Sequence, residues 1–149
     1  MQLCRPSMNK LDWFERWRLL LENAPLECDG MTRCISTLLH HHQIEHSVHI
    51  GALTVEDVGR IPLHWWIVLE GGEHIDLRAQ MWLGKHPHVP HGIFLPTHVA
   101  TYETLALEPG GQCLDAFLFA LLCGREISDF SCDLMPPKPS VCSGGLDFH

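Results

Sequence analysis

A short apolar segment, residues 63–69, places the strongest constraint on how this chain folds. Its sequence is Leu-His-Trp-Trp-Ile-Val-Leu, and a strand with so little polar surface is normally covered on both faces. We therefore predict a central β-strand here, in a sheet with helices packed against it. His64 is an unusual residue in such a strand, because a buried imidazole needs a hydrogen-bond partner to offset its desolvation.

Two further strands are predicted beside this one. Residues 44–53 are expected to form a half-buried strand, because four apolar residues share one parity: Ile44, Val48, Ile50 and Ala52. After the Gly71-Gly72 turn, residues 73–77 are expected to return as a hairpin strand. A tight two-residue turn would put Asp76 on the sheet face opposite His64. The two can meet only if the turn is wider or bulged, or if the register shifts.

Apolar residues at helical spacing predict two helices before the first strand. The first spans residues 9–23, with a stripe formed by Leu11, Phe14, Trp17 and Leu21. The second begins near Cys28, and its apolar face consists of Met31, Ile35, Leu38 and Leu39. Cys28 lies within the same sector at about 100° per residue. We therefore expect Cys28 to point towards the sheet that carries His64.

The later segments complete the predicted fold. Residues 99–107 are compatible with a strand or a helix, whereas residues 112–125 predict a buried helix that is apolar nearly all round. Together the elements predict an α+β fold, with an antiparallel sheet of roughly four to six strands packed by helices. We assign residues 1–134 to a single domain and residues 135–149, which are rich in Pro, Ser and Gly, to a flexible C-terminal tail.

Charge and composition argue against several classes of partner and compartment. The formal net charge is −8 without any run of Lys and Arg, and nucleic-acid binding depends on clustered positive charge. The longest apolar run, residues 116–123, is much shorter than the roughly 20 residues of a membrane-spanning helix. The first residues lack an apolar export signal. We therefore expect a cytoplasmic protein whose 7 cysteines, Cys113 among them, are mostly reduced.

Three residues have the types and the order of a thiol nucleophile with an oriented base. Cys28 starts a predicted helix, and His64 and Asp76 follow on two predicted strands. A helix N-terminus favours a thiolate, but Glu27 and Asp29 on either side of the cysteine oppose it. We therefore expect most of the activation to come from His64, with Asp76 orienting the imidazole and favouring its charged form.

Further groups are candidates for contact with a substrate. The backbone N–H of Cys28, at a helix start, is expected to supply part of an oxyanion hole. Asn23 and Gln80 are the candidates for its second donor. Trp66 shares its strand parity with His64 and is expected to line the cleft.

The same part of the chain resembles a known superfamily. The resemblance rests on Cys28, Leu38-Leu39, Ile44, Gly51, His64-Trp65-Trp66-Ile67 and Asp76, and it covers about a third of the chain. In this order the residues resemble the transglutaminase-like, papain-like cysteine protease superfamily, including the small cysteine peptidases that process lasso-peptide precursors. The resemblance implies a papain-like core, a nucleophilic Cys28 at a helix N-terminus and a Cys28–His64–Asp76 triad.

The expected reaction is acyl transfer from an amide of a peptide or protein substrate. If water resolves the thioester, the enzyme is a peptidase or amidase; if an amine does, it is a transglutaminase. The small size of the chain favours hydrolysis.

Two alternatives remain open. One is an inactive binding module that keeps the scaffold, which the acidic neighbours of Cys28 favour. The other is a zinc-dependent protein that uses His86, His88 and His91. Because no Cys-x-x-Cys or His-Glu-x-x-His pattern accompanies these histidines, we predict neither a metal nor another cofactor.

Overall fold

The structure of the chain is a computed structural model, which describes residues 6–130 and, among the side chains, those from Trp13 onward. Its elements in chain order are α1 (Pro6–Leu21), α2 (Cys28–His41), β1 (His46–Val55), β2 (Gly59–Leu69), β3 (His74–Asp76), α3 (Ala79–Leu83), β4 (Gly92–Phe94), β5 (Ala100–Pro109), α4 (Ala116–Cys123) and a 3-10 helix (Ile127–Asp129). The described strands form one five-stranded antiparallel sheet in the order β4-β3-β2-β1-β5. The predicted α+β class is confirmed. The predicted boundary at residue 134 and the predicted tail, residues 135–149, lie outside the described residues.

The middle strand of the sheet, β2, contains the segment that was expected to be central. Ile67 and Leu69 lie in the main hydrophobic core, together with apolar residues of α1 and α2. His64 and Trp66 alternate with them and are also buried. Both faces of the strand are therefore covered from His64 onward, whereas Leu63, just before it, is 64% exposed.

An irregularity at Gly51 changes which side chains of β1 are buried. The register of β1 shifts against β2 between Gly51 and Leu53, and against β5 between Ile50 and Gly51. Val48 therefore lies in the main core, whereas Leu53 lies in a second, smaller core. The prediction of one apolar parity along this strand is wrong for this reason, since Ile50 is only half-buried and Leu53 is fully buried.

The sheet is strongly curled. In a flat sheet, four steps from β4 to β5 would separate these edge strands by roughly 19 Å. Phe94 of β4 and Tyr102 of β5 instead have ring centroids only 6.1 Å apart. Tyr102 also lies 5.1 Å from the His74 ring of β3 and 4.8 Å from the Trp66 ring of β2. The inner face of the sheet therefore encloses a cluster of aromatic side chains.

The first two helices cover the outer face of the sheet. α1 ends at Leu21, two residues before the predicted end. Among its side chains from Trp13 onward, the buried ones are Trp13, Phe14, Trp17 and Leu21. α2 buries the four apolar residues that were expected to face the sheet, and also Cys34. Its partners include Val48 and Ile67.

The last helix differs from the sequence prediction. α4 spans only Ala116–Cys123, because the Asp115 side chain caps its start and Gly124, in the left-handed conformation, ends it. It is not buried all round, since Phe117 is 77% exposed and Leu121 is 67% exposed. The ambiguous segment at residues 99–107 forms most of β5.

Three of the described cysteines carry free thiols: Cys28, Cys34 and Cys123. Cys113 is disulfide-bonded, so the expectation of a reduced thiol is wrong at this position. Among residues 6–130, no helix has both the length and the apolar composition needed to cross a membrane.

Candidate active site

The register of the β2–β3 hairpin decides whether Asp76 can reach His64. Ile67 pairs with Ile75, and the Leu69 N–H donates to the Glu73 carbonyl at 2.8 Å. The connecting turn therefore contains three residues, 70–72, rather than the two of a tight turn. With this wider turn, Asp76 falls opposite position 66, which shares its face with His64. The His64 Nε2 and Asp76 Oδ2 atoms are 2.7 Å apart in a fully buried pair.

The Asp76 carboxylate accepts four hydrogen bonds. Oδ1 accepts the backbone N–H groups of Arg78 (2.9 Å) and Ala79 (3.0 Å), while Oδ2 accepts the Tyr102 hydroxyl (2.8 Å) and His64. Burial alone would raise the pKa of Asp76, but the bond and charge of His64, helped by Arg78 and Tyr102, lower it overall. The carboxylate is therefore ionised and fixed in orientation.

His64 is held in its charged form by two partners. Burial alone would lower its pKa, but hydrogen bonds and charges from Asp76 and Cys28 outweigh burial and raise the pKa of His64 to about 9. Asp76 occupies Nε2, so the interaction with the thiol falls to Nδ1. This nitrogen is buried and has no hydrogen bond of regular geometry within the described residues. Such contacts are often long before a substrate binds.

Cys28 differs from the other free cysteines that the structure describes. It is the first residue of α2 and is partly exposed, whereas Cys34 and Cys123 are buried. Burial raises the pKa of Cys34 to about 12, which keeps that thiol protonated. Only Cys28, among these free thiols, combines access to solvent with a histidine neighbour.

The start of α2 leaves backbone donors beside the thiol. The N-cap residue, Glu27, makes no side-chain cap hydrogen bond, and the first N–H groups of a helix have no partner within it. The Gly30 N–H is taken by the Asp29 carboxylate at 2.8 Å. The role of the Cys28 N–H as an oxyanion donor remains a prediction. The side chains of Glu27 and Asp29 are exposed.

The other predicted site residues lie in different environments. Trp66 is only 1% exposed, and its ring stacks on His64 with centroids 6.2 Å apart and an interplanar angle of 25°. The Trp66 ring therefore covers one face of the His64 imidazole. Asn23 is exposed in the turn after α1, and Gln80 is half-buried in α3. Their roles as oxyanion donors remain predictions.

Two residues of the site were not found from the sequence. Tyr102 is the only tyrosine of the chain, but it lies in the ambiguous segment at 99–107, and only the curl of the sheet brings it to Asp76. Arg78 follows Asp76 closely, but its side chain binds carbonyl groups 52 to 56 residues earlier in the chain. A local sequence pattern does not reveal contacts over such distances.

The three histidines that were considered as zinc ligands form hydrogen bonds with different groups. His86 Nδ1 accepts the His88 backbone N–H (3.0 Å), His88 Nδ1 donates to the Glu56 carbonyl (3.0 Å), and His91 Nε2 donates to the Glu22 carboxylate (3.1 Å). Among the described residues, the one group with donor atoms close enough for an ion is Glu56, Asp57 and His88, in which both acids are exposed.

A cavity of about 350 Å³ lies beside β4. Its lining residues come from one continuous segment: Pro87, His88, Pro90, His91, Phe94, Leu95, Thr97, His98 and Val99. The Phe94 ring forms one wall, and it contacts the rings of His74, at 5.9 Å between centroids, and Tyr102, at 6.1 Å. The segment 87–99 therefore shapes a cavity whose Phe94 wall contacts the ring of Tyr102, the partner of Asp76.

Comparisons of the chain with protein-family models, curated proteins and solved structures found no match. The assignment of the site therefore depends on the chain's own residues and their geometry. In this site the imidazole of His64 interacts with the Cys28 thiol on one side and the Asp76 carboxylate on the other. These three groups are the components of a cysteine-dependent acyl-transfer site.

Proposed function

We propose that this protein is a cysteine-dependent acyl-transfer enzyme with a papain-like or transglutaminase-like core. We further propose that it is a hydrolase, a peptidase or amidase, acting on peptide or protein amides. The observation that carries the proposal is His64, which is buried between the Asp76 carboxylate at 2.7 Å and the Cys28 thiol at the start of α2.

In the proposed first step, the Cys28 thiolate forms a bond to the amide carbonyl carbon. The carbonyl oxygen becomes an oxyanion beside the Cys28 N–H. The His64 imidazolium then gives its proton to the amide nitrogen as the carbon–nitrogen bond breaks. The amine leaves, and the acyl group stays on Cys28 as a thioester.

In the second step, water attacks the thioester, and neutral His64 takes the proton of the water. The acid leaves, and the thiolate and imidazolium are restored. Asp76 keeps the imidazole oriented through both steps and remains ionised. Tyr102 and Trp66 support this role, because one donates to the carboxylate and the other covers the imidazole ring.

The alternative is a binding module with the same scaffold and no catalysis. The exposed acids Glu27 and Asp29 beside Cys28 favour it, because negative charge opposes a thiolate. The two proposals differ in one measurable property, the reactivity of Cys28 below the ordinary titration range of a thiol.

The rate of Cys28 alkylation against pH tests the proposal. Native protein is treated with iodoacetamide, and each cysteine is followed by peptide mapping in the wild type, in His64→Ala and in His98→Ala. His98 is exposed and serves as the matched control. We expect Cys28 to react fast near pH 6, well below the ~8.5 of a free thiol, and to slow only in His64→Ala. An ordinary thiol profile in the wild type contradicts the enzyme and supports the binding module.

A further inference from the structure

A buried arginine connects the acid of the candidate site with the segment that leads to the thiol. Arg78 is 6% exposed, and its backbone N–H donates to Asp76 Oδ1 at 2.9 Å. Its side chain reaches in a different direction. The guanidinium group donates to the carbonyl oxygens of Leu26 (2.5 Å), Ala24 (2.9 Å) and Glu22 (3.0 Å).

These three carbonyls belong to the turn between α1 and α2. The last of them, Leu26, lies two residues before Cys28. A fourth bond, from Nη1 to the Leu77 carbonyl at 2.8 Å, fixes the guanidinium against its own strand end. A planar guanidinium has five N–H donors in fixed directions, and here it uses Nε and both terminal nitrogens.

Loss of the Arg78 hydrogen bonds is unfavourable both for the carbonyl acceptors and for the buried guanidinium group. A buried carbonyl that loses its donor is destabilised. The Leu26 and Glu22 carbonyls receive their side-chain hydrogen bonds from Arg78, whereas the Ala24 carbonyl also accepts the Leu26 N–H at 2.8 Å. Burial lowers the pKa of Arg78, but the negative charges of Glu22 and Asp76 act in the opposite direction. An arginine side chain stays charged in proteins, so Arg78 is a charged group inside the protein, and its guanidinium hydrogen bonds go to backbone carbonyls.

We propose that Arg78 is a positioning residue that sets the Cys28 thiol at its distance from the His64–Asp76 pair. This inference rests on the proposed function. The Arg78 side chain joins the segment that carries Asp76 to the turn that leads to Cys28, so its geometry affects how the two halves of the site align. Lysine cannot replace it, because a single ammonium group cannot span three carbonyls in a fixed plane.

The test compares Arg78→Lys with Arg60→Lys, whose arginine forms an exposed ion pair with Glu103. Circular dichroism and thermal melting report the fold, and the pH profile of Cys28 alkylation reports the thiol–imidazole contact. We expect folded Arg78→Lys to lose at least about tenfold of its Cys28 reactivity near pH 6, since small misplacements in such sites have effects of this size. Arg60→Lys is expected to keep the wild-type profile.

A wild-type profile in folded Arg78→Lys overturns the positioning role and leaves the proposed function intact. An ordinary thiol profile in the wild type removes the proposed function instead.

If Arg78→Lys does not fold, Arg78→Ala is measured with millimolar guanidinium chloride and, as control, sodium chloride. Return of the low-pH reaction with guanidinium alone supports the role. Failure of both variants to fold, with no rescue, makes Arg78 a stability residue and overturns the proposal.

Discussion

At the scale of single residues, the partners of a buried histidine decide the direction in which its pKa shifts. His64 is fully buried and still has a raised pKa, because a carboxylate and a thiol accompany it. His46 is buried with neutral partners only. Its Nδ1 donates to the Ile44 carbonyl at 2.9 Å, and its Nε2 lies 2.6 Å from the Ser36 hydroxyl. Burial, together with the nearby His40, lowers the pKa of His46 to about 4.

This difference predicts an acid sensitivity that is separate from the candidate site. The pKa of His46 falls from 6.5 to about 4 on folding. Its contribution to the free energy of unfolding is therefore complete above pH 6.5 and is lost as the pH falls towards 4. Between about pH 7 and pH 5 the loss is about 2 kcal/mol. We expect His46→Gln to reduce the pH dependence of the free energy of unfolding, measured by urea denaturation, by this amount. The exposed control, His98→Gln, should leave it unchanged, and an equal pH dependence in wild type and His46→Gln would contradict the assignment.

The sequence allowed some of these residue roles to be predicted. A histidine in an apolar strand needs a partner, and this requirement identified His64 and then Asp76 as candidates. The pairing of His46 with Ser36 was not predicted, because the two are ten residues apart on different elements. Arg78 and Tyr102 were missed for the same reason, since their partners are distant in sequence.

At the scale of elements, two small backbone features determine which side chains meet. The three-residue turn at 70–72 puts Asp76 on the same face as His64, and a turn shorter by one residue would separate them. The pair Gly71-Gly72 predicted a turn but not its width. Gly51 similarly changes the parity of β1, and alternation in the sequence cannot show where a strand becomes irregular.

Gly51 provides a test at this scale. A Cβ at this position would lie 1.8 Å from the Glu103 carbonyl oxygen, which belongs to the backbone of β5. Since neither strand can move away without breaking the ladder, we expect Gly51→Ala to lower the free energy of unfolding by roughly 3 kcal/mol or more. Gly72→Ala is the control, because its Cβ has open space and only the positive φ of 94° is strained, at about 1 kcal/mol. Equal effects in urea denaturation would contradict the close approach of β1 and β5.

At the scale of the whole molecule, curling of the sheet completes the candidate site. β3 and β5 are separated by two strands in the sheet order, but the Tyr102 hydroxyl of β5 donates to Asp76 of β3 at 2.8 Å. α1 and α2 cover the outer face, and the start of α2 brings Cys28 to the same histidine. The α+β class was predictable from element patterns, whereas the curl was not, because it depends on strand pairing at both edges.

The proposed function requires Cys28, His64 and Asp76 to act as one coupled unit. The most direct measurement is an NMR titration of the His64 ring, assigned by comparison with His64→Gln, in the wild type and in Cys28→Ala. We expect a His64 pKa of about 9 in the wild type and a lower pKa in Cys28→Ala, because the hydrogen bond and charge of the thiol are lost. A His64 that titrates at or below 6.5 in both proteins, as burial alone would dictate, would contradict it.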